Sequence, residues 1–267
     1  MDDVAKVEHL AEELYGPSAK LPVRGVLHVV SAFEHVDSRL HVINIGPKAP
    51  KSASDFFVLN FWRAHADAVL TTAAVVRAEP KLSHELQGDH AAALSIYREQ
   101  YLGRRDVPLC AILSASGELP SDHRIWQDRL RNHVLTAPGR VQALQAQLGT
   151  RASVVGIDAL DPARAIDWLF AQGAQCVLIE AGPRTAGQLY GSHGGVDHLM
   201  LSRCGAQVAP EAIGRALPDS TQLFAGLTRR CETEHHEESG PWWFSRWDRS
   251  NAVTERSCGA GVPLQRE

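Results

Sequence analysis

Short apolar runs alternating with helix-length amphipathic stretches are the strongest constraint on this chain. The runs lie at residues 26–30, 40–45, 67–71, 108–113, 133–136, 152–157, 176–180 and 197–202. Helical patterns stand between several of them, at 54–66, 141–148 and 161–172. A strand that returns parallel to its neighbour needs such a crossover, so the alternation predicts βαβ units and a mainly parallel central sheet flanked by helices. With 267 residues, 44% hydrophobic and 22% charged, the chain can bury one such α/β core. Disorder would need fewer apolar residues and more net charge.

Local signals place the remaining elements. Val4, Val7, Leu10 and Leu14 share one face of a helix over 3–15, which the stretch Gly16-Pro17-Ser18-Ala19-Lys20-Leu21-Pro22 ends. Ser54 or Asp55 is the expected N-cap of the helix over 54–66, and Asp161-Pro162 opens another with Asp161 as cap. Residues 89–101 read as a surface helix. The organisation expected is an N-terminal helix within 1–22, a nucleotide-binding domain over 23–230, and a polar, Trp-rich tail over 231–267.

Charge narrows the function. A net charge of −4 with a pI near 6.3 supplies no field for nucleic acid or an anionic membrane. No apolar run approaches the roughly 20 residues of a membrane span, and Met1-Asp2-Asp3-Val4 opens no signal-peptide core. The five cysteines are scattered with no C-x-x-C pair, which fits a reducing, cytoplasmic setting. No metal site is expected: Glu234-His235-His236-Glu237-Glu238 reads as solvated, and Trp242-Trp243-Phe244-Ser245-Arg246-Trp247 as an anchor of the tail on the core.

Two turns carry the candidate chemistry, because ligands in open α/β sheets sit at the carboxyl ends of strands. In Cys176-Val177-Leu178-Ile179-Glu180-Ala181-Gly182-Pro183-Arg184-Thr185-Ala186 a buried strand ends in a carboxylate. A glycine then lets a ligand approach the backbone, and a helix expected over 185–190 follows. The same residues also suit an ordinary turn with a solvated Glu and Arg. The second turn, Asp67-Ala68-Val69-Leu70-Thr71-Thr72-Ala73, offers hydroxyls and room at a strand end, or a tight corner of small residues.

Taken in order, these segments resemble the pyrimidine reductase family of riboflavin biosynthesis, the RibD C-terminal domain. The likeness runs over roughly residues 24–210. It rests on Asp55 followed by Arg63-Ala64-x-Ala66-Asp67-Ala68-Val69-Leu70-Thr71-Thr72, then Ala78-Glu79-Pro80-x-Leu82. Pro108, Ile112-Leu113, Gly117-x-Leu119-Pro120, Val134-Leu135-Thr136, Leu178-Ile179-Glu180-x-Gly182-Pro183 and Val196-Asp197-His198-Leu199 complete it.

The resemblance implies a dihydrofolate-reductase-like fold and an NADPH-dependent reductase that opens the ribosyl group of a phosphorylated ribosylaminopyrimidine and reduces it to ribityl. It assigns Thr71, Thr72 and Ala73 to cofactor contact, and Gly182, Pro183, Arg184, Thr185 and Ala186 to the pyrophosphate. Glu180 would meet substrate, and Asp37, in His35-Val36-Asp37-Ser38-Arg39, becomes a substrate or proton-relay residue. A homodimer is implied as well. The chain departs from the family at Ser38 and Ala181, where glycine is usual, at Val75, where threonine is common, and at Glu85, near the place of a substrate-phosphate arginine. Those departures leave a second function open, a reductase-like ligand-binding or interaction module without catalysis.

Overall fold

Strands β3 (Ala68–Thr72) and β7 (Cys176–Ile179) are buried at every residue, as strands covered by helices on both faces must be. A computed structural model of the protein, describing residues 3–20, 23–191 and 194–249, shows how the sheet is built around them. Its other strands are β1 (Gly25–Glu34), β2 (Leu40–Ile43), β4 (Leu109–Leu113), β5 (Arg131–Thr136), β6 (Ser153–Gly156), β8 (His198–Cys204), β9 (Ile213–Ala216), β10 (Leu227–Glu237) and β11 (Gly240–Arg249). The order across the sheet is β10-β11-β8-β1-β7-β3-β4-β5-β6, with β2 and β9 paired off the side of β1.

From β8 through β6 every neighbouring pair is parallel. This is the α/β architecture expected, with a mainly parallel central sheet flanked by helices. Helices α1 (Asp3–Tyr15), α2 (Ala53–His65) and α4 (Ala91–Gln100) bury Val7, Phe61 and Leu94 on one face, beside Leu178 and Met200. On the same face α3 (Ala73–Ala78) and α5 (Val141–Leu148) pack Val76 and Leu144 on Ile112 and Val134. The opposite face is covered by α6 (Pro162–Ala171), whose Ala165, Ile166 and Leu169 meet Val177 and Leu70.

Two boundaries move. The cap of α2 is Ser52, not Ser54 or Asp55: Ser52 Oγ accepts the Asp55 amide at 2.8 Å. Asp55 then stands in the first turn with its carboxylate free to face the sheet. After Gly182, helix α7 (Pro183–Ala186) starts at Pro183, two residues before the expected start, and continues only as a short 3₁₀ turn, Gly187–Leu189.

The largest difference concerns the expected tail. Residues 227–249 form the β10–β11 hairpin, and β11 pairs antiparallel with β8, Trp242 opposite Cys204 through Asp248 opposite His198. Residues 250–267 lie outside the described residues. Trp242 and Phe244 are fully buried against the α1–α2 face, while Trp247 stacks on Phe224. The Glu234–Glu238 stretch is therefore strand and turn rather than solvated tail, and Glu237 has a defined partner. Its carboxylate accepts the Ala53 amide at 2.9 Å, the Ser54 amide at 3.0 Å and the Ser52 hydroxyl at 2.8 Å. An anion there satisfies amides that a helix start leaves open and meets the positive end of its dipole.

Glu237→Ala should cost about 1–2 kcal/mol, the range of a lost N-cap. Urea denaturation at neutral pH measures this as a lower midpoint with an unchanged slope, and an unaltered midpoint would refute the capping role.

Candidate functional site

The carboxyl end of β7 opens, beside the middle of β1, into a cleft of about 540 Å³, floored by Ile179, Glu180 and Ala181 and walled by β2 and α2. A second cleft, about 520 Å³, lies at the amino-terminal ends of the same strands. Of its cations, Arg98 donates to the carbonyls of Ala64 and Ala66 and Arg104 pairs with Asp67, while Arg24 and Arg105 are exposed. The first cleft is the one that holds Glu180, Gly182 and Pro183 of the β7 turn.

Glu180 is the central group. Arg63 of α2 donates to it through Nε and Nη2, both at 2.7 Å, in a bidentate pair. His84 Nδ1 lies 3.0 Å from Oε2, and Arg63 Nη1 also reaches the Glu85 carbonyl at 3.2 Å. Burial alone would push the Glu180 carboxyl up, but the Arg63 charge and then His84 reverse this and hold it well below the usual range. Glu180 is thus an ionised acceptor at neutral pH and no proton donor.

Two other carboxyls behave oppositely. Asp55 accepts the Ser31 hydroxyl, whose Oγ lies 2.8 and 2.7 Å from its two oxygens, and burial raises its pKa against that bond. Glu79 is raised by burial and by the negative charge of Glu180. Both line the cleft, as does His28. Burial drives His28 down to about 4, so its ring is neutral, and Nδ1 lies 2.5 Å from the Tyr190 hydroxyl.

The two turns singled out in the sequence sit side by side. Strand β3 pairs with β7, Leu70 opposite Ile179, and the Glu180 amide donates to the Leu70 carbonyl at 2.9 Å. Of the residues assigned by resemblance, Glu180, Gly182 and Pro183 line the cleft, together with Val75 and Ala181. A Cβ built on Gly182 would meet nothing within 4 Å, so the backbone there is open to a ligand. Arg184 is exposed, Thr185 half-buried, and the Ala186 side chain buried in the core. Thr71 is fully buried with no hydrogen-bond partner for its hydroxyl among the described residues, whereas Thr72 caps α3 by accepting the Val75 amide at 3.3 Å. Ala73 is buried at the start of α3.

Asp37 is not among the cleft residues. It stands exposed at the β1–β2 turn and contacts His41, because a five-residue turn carries it past the end of β1. Ser38, where the family has glycine, still adopts the left-handed φ of 59°. Asp55 and Arg63 had been visible only as matched positions, and nothing in the sequence joined His84 to Glu180.

The family model for the RibD C-terminal domain matches residues 34–243. The chain belongs to the RibD C-terminal domain family. No curated protein sequence matches the chain. A pyrimidine reductase-like protein from Corynebacterium diphtheriae superposes with a TM-score of 0.62 at 20% identity, covering 90% of this chain and 98% of that one. RibD from Acinetobacter baumannii gives 0.58 at 16%, covering 87% of this chain and 60% of its own length. The riboflavin biosynthesis reductase Rib7 of Saccharomyces cerevisiae gives 0.52 at 14%, covering 90% and 98%. At these identities the superpositions establish the fold of this RibD C-terminal domain.

Because the folded carboxyl of Glu180 sits below its unfolded value of about 4.3, its contribution to stability is present above that pH. It is lost as pH falls through the lower folded value. Glu180→Gln should cost about 3 kcal/mol at pH 7 by leaving Arg63 unpaired. Melting temperatures from pH 7 to pH 3 should fall more steeply for the wild type than for the variant, and parallel curves would exclude the linkage.

Proposed function

We propose that this protein is an NADPH-dependent reductase of the pyrimidine reductase type, reducing the ribosylamino group of a phosphorylated pyrimidine to ribitylamino. The observation that carries the reading is the β7 turn: an ionised, doubly held Glu180 beside the unobstructed backbone of Gly182. The residues present fit a dinucleotide, since the Gly182 approach is open and the Thr71 hydroxyl, on the adjoining strand β3, has no hydrogen-bond partner among the described residues. When bound, NADPH supplies the hydride. Gly182 and Pro183 would hold the pyrophosphate side, with Arg184 adding charge from the rim.

The chain's own groups divide the remaining work. Glu180 accepts hydrogen bonds from a substrate and fixes its position, as an ionised acceptor can. Ring opening breaks the bond from C1′ to the ring oxygen, which takes up a proton, while hydride reaches C1′ and the C1′–N bond is kept. Asp55, raised by burial and oriented by Ser31, holds that proton in this reading. Lys51, at the mouth of the cleft, is placed to meet a substrate phosphate. Apolar walls from Val30, Val42, Ile43 and Leu59 limit water around the reacting atoms. The non-catalytic alternative rests on the departures at Ser38, Val75, Glu85 and Ala181, while the tryptophans it would use pack on the chain itself: Trp242 is buried and Trp247 stacks on Phe224.

Fluorescence titration should show NADPH binding tighter than NADH, and Gly182→Asp should abolish it by placing a carboxylate where phosphate would lie. Absence of binding by the wild type would end the proposal. With a ribosylaminopyrimidine phosphate as substrate, Asp55→Asn should lower kcat by about 10²–10⁴-fold. The wild-type rate should fall as pH rises through a value above the usual carboxylate range.

A further inference from the structure

The β1–β2 hairpin carries a cluster that the cleft does not use. His35, Asp37 and His41 each offer one ligand atom, and these atoms lie within 4.8 Å of one another. Asp37 Oδ1 is 3.4 Å from His35 Nδ1, and Asp37 Oδ2 is 3.1 Å from His41 Nε2. The two imidazole rings face each other with centroids 4.5 Å apart and planes inclined by 38°. Donors about 2.1 Å from a tetrahedral ion lie about 3.4 Å from each other, close to this spacing.

Two polar atoms stand where a cation would meet them. His35 Nδ1 is buried from solvent, yet makes no hydrogen bond with any described residue. His41 Nδ1 lies 3.0 Å from the Gly214 carbonyl of β9, a contact that requires the proton on Nδ1. Its Nε2 is left to face the Asp37 carboxylate, 3.1 Å away. With a metal between Nε2 and Asp37, the Gly214 carbonyl becomes the partner that orients a metal-bound histidine. The turn is also held in place beforehand. His35 and Arg39 are joined by a backbone bond of 2.9 Å, Ser38 donates to the His35 carbonyl at 2.9 Å, and the Arg39 amide reaches Asp37 at 3.1 Å.

We infer that His35, Asp37 and His41 form a binding site for one divalent transition-metal ion, of the zinc, cobalt or nickel class. Two imidazoles and one carboxylate suit these ions better than magnesium or calcium, which take oxygen-rich sets. Three protein ligands leave at least one coordination position open, and the exposed Asp37 side marks where water enters. The bound ion would clamp the hairpin whose second strand walls the cleft through Val42 and Ile43. The inference does not depend on the proposed reductase activity.

Calorimetric titration of the full chain with Zn²⁺ at pH 7.5, after treatment with chelator and its removal, tests it. One ion should bind per chain. Asp37→Asn and His41→Ala should each weaken binding by about tenfold or more, since even outer partners of ligands matter that much. His236→Ala, whose ring pairs with Glu234 on the exposed face of β10, should change nothing. Asp37 is exposed, so Asp37→Asn separates ligand loss from unfolding, and circular dichroism of each variant checks it. Co²⁺ should give visible bands that Asp37→Asn diminishes. No Zn²⁺ binding, or binding unaffected by Asp37→Asn and His41→Ala, overturns the site.

Discussion

The Arg63–Glu180 pair is the contact on which the working end of this molecule depends. It is buried, bidentate, and joins α2 to the end of β7, while Arg63 and His84 draw the loop after α3 onto the same carboxylate. Separate parts of the chain thus meet at one charge. Buried pairs of this kind add little net stability compared with apolar residues, because both ions give up water. Their value here is positional. Arg63 and His84 supply the donors that hold an ionised Glu180 at the floor of the cleft.

That arrangement also sorts the neighbouring acids. With Glu180 fixed as an anion, Glu79 feels its charge and is pushed up, while Asp55 is raised by burial and kept in place by Ser31. Carboxyls whose pKa values are driven apart within one cleft take different parts in a reaction, one accepting and one holding a proton. The sheet provides this without any unusual backbone at the turn: Gly182 keeps ordinary extended geometry, and its role is to leave space.

Most of the architecture was legible in the sequence because strands buried on both faces have almost no freedom of composition. Residues 67–71 and 176–180 could be read as buried strands for that reason, whereas the pairing of β3 with β7, strands far apart in sequence, has no signal in the alternation. The hairpin of 227–249 was not legible. Strand β10 is an edge strand, exposed along much of its length, so Thr228, Arg229, Glu232 and Glu234 give it the composition of a solvated tail. Site residues divided in the same way. Glu180 and Gly182 were visible because a strand ends there, but the contact of His84 with Glu180 depends on a loop fold that carries no period. Asp37 illustrates the reverse error: the motif was found, and the length of the turn carries its side chain away from the cleft.

The position of β1 has a consequence for how the chain is made. Its two parallel neighbours are β7 and β8, residues 176–179 and 198–204, so the central strand pairs with the last third of the chain. During synthesis β1 emerges early and has only the short β2 beside it until well over half the protein has followed. An apolar strand left that long without partners is exposed to association with other chains. The central pairings of the sheet therefore close late, between segments far apart in sequence, and contacts of that kind slow folding.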